Sequence, residues 1–142
     1  MRDARGVAAM EDLSVLLVAV VSFSLFFASL ATAHVMREAR VSGERLQAEA
    51  DDLLEAMITD PRWTEGRSLF LAAELQATSA HDVRRLAGAR PFLVVVWDLA
   101  TDDRWTFGGE AGAGDRRTAA TSANVVGLHV DPARVVVTVW ES

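Results

Sequence analysis

Few side chains here have the type and spacing that chemistry needs. His34, His81 and His129 are the three imidazoles, and no H-x3-H or H-E-x-x-H spacing joins any two of them, so the sequence offers no helical pair of metal ligands. There is no cysteine, which removes thiolate zinc sites, thiol nucleophiles and disulfides together. Asp98, Asp102 and Asp103 could surround a cation, but three acids in a short turn are more often a solvated turn. Gly112-Ala-Gly114 lacks the further glycine and the lysine of a phosphate loop. No nucleophile with a base and no convergent carboxylate pair stands out, so the expectation is a chain that is not an enzyme and has no catalytic residue, metal or cofactor. The one unusual constellation is Arg5-Gly6-Val7 followed by Glu11-Asp12, because two carboxylates there adjoin a long oily run.

That run extends from Leu13 to Met36, 24 residues without a formal charge. At ~1.5 Å per residue it covers roughly 36 Å as a helix, enough to cross a ~30 Å hydrocarbon core. Twelve of its first 21 residues are Leu, Val or Phe. On insertion scales they favour the bilayer by about 4 to 7 kcal/mol, before the Ser and Thr residues subtract their share. A buried helix of a soluble domain is the lesser alternative, since the rest of the chain offers little surface to wrap it. A secretory signal would be shorter, although Ala31-Thr32-Ala33 mimics its cleavage site. Arginines flank both ends (Arg2 and Arg5 before; Arg37, Arg40 and Arg45 after), so charge bias does not set the orientation.

A carboxylate placed at the edge of a span needs a partner or a favourable dipole, and Asp12 would suit the positive end of the helix. The order Arg5-Gly6, Val7-Ala8-Ala9-Met10-Glu11 and then a long apolar helix resembles the class III signal of type IV pilins and pilin-like proteins, particularly the archaeal ones. It is also similar to the tight-adherence pseudopilins. The resemblance covers about the first 35 residues and departs from the pattern at Asp12, where the family usually turns apolar at once. It implies that a prepilin peptidase cuts after Gly6, that Val7 becomes the first residue, and that Glu11 becomes the fifth. It further implies an N-terminal helix that anchors the precursor with its head outside the membrane and later forms a filament core. Cleavage would free an α-amine with pKa ~7.7 to 8, and the Glu11 carboxylate could pair with it in an apolar bundle and set subunit register.

Beyond the run, Leu46, Ala50, Leu53, Leu54 and Met57 recur at spacings of three and four among charged residues, which predicts one helix over about 10–58. Arg45 and Glu49 lie four apart and can pair, Ser42-Gly43 is the expected kink, and Asp60-Pro61 ends the element. A coiled-coil dimer would look similar, but fewer than two clean heptads are present. In residues 61–142, the stretch 69–75 reads equally as a strand or a helical turn. Ser79-Ala80-His81-Asp82 reads as a capping box that opens a helix stopping at Gly88. Residues 92–99 and 104–107 read as a hairpin around Thr101-Asp102-Asp103, and 125–130 with 134–140 as a second around Asp131-Pro132-Ala133. Val135, Val137 and Val139 share the expected core face, Trp140 is expected on the exposed one, and 109–123 reads as a mobile small-residue loop.

The sequence therefore predicts an α+β chain: a long N-terminal transmembrane and spine helix, then a small head with a roughly four-stranded antiparallel sheet and a short helix. The expected organisation is a leader over 1–6, the helix over 7–60 and an extracytoplasmic head over 61–142. All 14 basic residues are Arg, against 20 Asp and Glu, and the net charge of −6 argues against nucleic-acid binding. The resemblance implies membrane lipid, a prepilin peptidase and other pilin subunits as partners, and a cell-membrane location followed by a surface filament. The alternative is a bitopic protein whose extracytoplasmic head binds a partner or ligand and never polymerises.

Overall fold

The computed structural model describes the backbone of residues 3–109 and 114–141, and side chains from residue 12 onward within them. In chain order the elements are α1 (Asp3–Thr59), β1 (Leu69–Leu71), α2 (Ala72–Ala77), α3 (Ala80–Ala87), β2 (Phe92–Asp98), β3 (Arg104–Gly108), β4 (Arg116–Val126) and β5 (Val130–Trp140). The fold is α+β, and it divides into two compact units, residues 1–41 and 42–142.

The first unit is helix alone. Its apolar side chains, from Leu13 through Met36, are exposed. Two of its hydroxyls fold back on their own helix: Ser24 Oγ donates to the Val20 carbonyl at 2.8 Å and Thr32 Oγ1 to the Ala28 carbonyl at 2.9 Å. Such back-bonding satisfies a hydroxyl without water, which an apolar solvent demands.

The second unit is a head in two layers. Leu46, Ala50, Leu53, Met57 and Ile58 of α1 are buried in one cluster with Leu75 of α2, Val83 of α3 and one face of the sheet. The predicted spacing of apolar residues on α1 is the buried stripe. The helix begins at Asp3, earlier than residue 10, and runs without a break through Ser42-Gly43. Gly43 is a notch here: a Cβ on it would stand 2.7 Å from an Nη of Arg117 on β4. α3 starts at the predicted capping box, where Asp82 N–H donates to the Ser79 hydroxyl at 3.4 Å and Ser79 N–H to the Asp82 carboxylate at 3.1 Å. It stops at Gly88, whose φ of 68° suits a residue without a Cβ.

The sheet holds the four expected antiparallel strands and adds one more. It has five, in the order β1-β4-β5-β2-β3, with β1 parallel to β4 and every other pair antiparallel. The undecided stretch 69–75 is both a strand and the start of a helix, divided at Leu71. Much of the supposed loop 109–123 is strand: β4 spans Arg116–Val126 and pairs along its whole length with β5. Its alternating Arg, Thr, Ala and Ser give little apolar signal, yet Ala119 and Ala123 are buried, opposite Val137 and Ala133 of β5. The turn lies at 127–129 rather than at Asp131-Pro132-Ala133, which belongs to β5.

Pro132 sits in this central strand because its backbone faces beyond the end of β2. Its carbonyl accepts Leu99 N–H at 2.9 Å just past the end of β2, so the one return bond that its missing N–H forgoes falls at the end of the β2–β5 ladder and not inside it. Val135, Val137 and Val139 face the core as expected. Trp140 is only 4% exposed, which corrects its placement on the surface, and it lies outside the main core cluster.

Candidate functional site

Arg5, Gly6, Val7 and Glu11 lie within the backbone span of α1, and their side chains fall outside the described residues. Asp12, the next carboxylate, is exposed. What the structure contributes to this site is the helix that carries it. α1 contains an 18-residue window of mean hydropathy 2.5, none of it buried, and is long and apolar enough to cross a membrane. The same helix then supplies five buried residues to the head's core. At the end of the apolar run His34 and Glu38, four apart, approach to 3.2 Å, as suits residues one helical turn from each other.

The acids that could have formed a cation site are otherwise engaged. Asp98 is buried, and its Oδ1 accepts the Ala100 and Thr101 N–H groups at 2.8 and 3.2 Å, closing the turn after β2. Asp102, at a φ of 63°, accepts Trp97 Nε1–H at 2.7 Å and an Arg104 N–H at 3.3 Å. The Trp97 bond first, and Arg104 second, hold its carboxyl below the usual range. Asp103 accepts the Thr101 hydroxyl at 3.0 Å. His81 and His129 are both exposed and lie on different elements, and among the described residues no cluster of three or more His, Asp or Glu is placed to hold a metal ion.

A cleft of about 210 Å³ opens between α1, α3 and the end of β5, lined by Glu49, Asp52, Leu53, Leu86, Ala87 and Val139. Glu49 is paired with Arg45 at 3.4 Å, as the spacing predicted, and also with Arg90 from the segment before β2. These lining residues include no nucleophile with a base beside it.

At the corner after α1, Asp60 accepts the Arg62 backbone N–H at 2.9 Å and the Arg62 guanidinium at 2.7 to 3.2 Å. The Arg62 hydrogen bond holds its carboxyl below the usual range, against a smaller opposing effect of burial. Trp63 then turns inward and donates from Nε1 to the Met57 carbonyl at 2.8 Å. Sequence reasoning missed this anchor, a local turn back onto the end of α1, and also the approach of Arg117 to Gly43 and the Arg90–Glu49 pair, which join elements distant in the sequence.

No protein-family model, curated protein or solved structure matches the chain.

Proposed function

We infer that the chain is a structural subunit of a type IV pilin-like surface filament, held in the membrane by α1 until it assembles. One observation carries the reading. A single unbroken helix bears an apolar stretch of which nothing is buried and, farther along, residues of the head's core. The exposed stretch needs an apolar solvent, and either lipid tails or identical helices supply one. In this reading a prepilin peptidase removes residues 1–6, and Glu11 pairs with the new α-amine of Val7 as the helix passes from lipid to the bundle. The head then stands outside the membrane and performs no catalysis.

N-terminal sequencing of the protein expressed in membranes with a prepilin peptidase tests this. Val7 as the first residue is expected. An intact Met1 would reduce the chain to a simple anchor with a head, and a start near His34 would make the apolar run a secretory signal.

A further inference from the structure

The two layers of the head leave one sheet face without a helix over it, although Trp140, which alternation puts at the Arg116 end of that face, is buried. All three helices bury their apolar residues on the face of Val94, Val96, Val135 and Val137. On the opposite face the strand register lays out rows. Thr106, Val95, Val136 and Ala120 form one row across β3, β2, β5 and β4, and Arg104, Trp97, Arg134 and Ser122 form the next. Trp97 is thus flanked by two arginines, and the Arg104 Cζ lies 4.4 Å from its ring centroid. Leu93, Val95, Trp97 and Val136 are half-buried, with no helix over them.

The charge on this face is of one sign. Strand positions on it carry Arg104, Arg116 and Arg134 and no acid, in a chain of net charge −6. Asp102 is the acid beside it, held by Trp97 and Arg104. The other side of the head has the reverse character. Glu44, Asp51, Asp52 and Glu55 recur at seven, eight and eleven residues along α1, so at ~100° per residue they lie opposite the stripe of Leu46, Ala50, Leu53 and Met57. All four are exposed; Glu55 is paired with Arg67 at 2.8 Å and Asp51 accepts from Gln47 at 3.2 Å. Along the helix they span roughly 16 Å, and Arg134 stands roughly 10 Å from Arg104 and roughly 20 Å from Arg116 by strand spacing and rise.

We propose that the open sheet face of one copy docks on the carboxylate face of α1 in a second copy. The arginines then meet Asp51 and Asp52, and Trp97, Val95 and Val136 are covered between them. Two different surfaces meet, so each docked copy still presents one free surface of each kind and the contact propagates instead of closing. The inference rests on the reading of the chain as an assembling subunit and gives its heads a contact separate from the helix bundle.

The test uses the full chain in detergent micelles, with self-association followed by sedimentation at low and high salt. Wild type should associate at low salt and dissociate as salt rises. Arg134→Glu and Asp52→Arg, both at exposed positions, should each weaken association at least tenfold while leaving the circular dichroism unchanged. The double variant should recover it, and mixing the two single variants should restore association with the two alternating along the assembly. Wild-type association by either single variant, failure of the double variant to recover, or a monomer at every salt concentration would overturn the proposal. Glu11→Gln run alongside separates the two ideas: loss of assembly there with Arg134→Glu unaffected removes the sheet contact and keeps the filament, and the opposite pattern does the reverse.

Discussion

Two glycines show how a single residue's worth depends on what surrounds it. Gly108 has a φ of 112°, and a Cβ on it would lie 2.1 Å from the Phe92 carbonyl oxygen. Neither the backbone of β2 nor the strained φ can yield cheaply, so Gly108→Ala should destabilise the head by about 2 to 3 kcal/mol or more. Gly43 has an ordinary helical backbone, and the atom its Cβ would meet is the far end of a flexible arginine. Gly43→Ala should be neutral or stabilising by up to about 1 kcal/mol, because alanine is the better helix former and Arg117 can swing aside. Thermal melts of both variants in the same detergent check the contrast. The sequence marks both positions only as Gly; the difference lies in φ and in a neighbour 16 residues back in one case and 74 ahead in the other.

Elements were legible where their signal was local. The capping box of α3, the apolar spacing of α1, and the β2–β3 hairpin with its Thr101-Asp102-Asp103 turn all follow from neighbouring residues, and the structure places them within a residue or two. The parallel β1–β4 pair and the strand character of residues 116–124 were not legible. Leu69 meets Asn124 through the fold alone, and β4 is held by its neighbours more than by its own small side chains. At Arg5, Gly6, Val7 and Glu11 the residues themselves carried the reading, and their side chains lie outside those described.

The corner joining α1 to β1 should respond to pH. Asp60 has a lowered pKa in the fold, so its ion pair stabilises the corner above the unfolded value near ~3.9 and the contribution is lost as pH falls through the folded value. Asp60→Asn should cost about 1 kcal/mol at neutral pH, with the difference from wild type shrinking below about pH 4. Thermal melts across that range read it directly.

At the scale of the whole molecule, assembly is where the proposed parts meet. Glu11→Gln keeps the apolar run intact, so the protein should still partition into membranes; it should lose at least tenfold in filament incorporation if the carboxylate pairs with the freed amine. Membrane fractionation and the yield of sheared filaments measure the two outcomes separately, and full incorporation would contradict the pairing.

The strand at the middle of the sheet, β5, is also the one that follows all its neighbours in the sequence. A growing polypeptide therefore has nothing to hold β4 and β2 together until its residues 130–140 have been made, well after α1 is complete. Half-made chains would wait with their strand edges bare, so whatever shields those edges in the interval bears on the yield of this protein alongside its final stability.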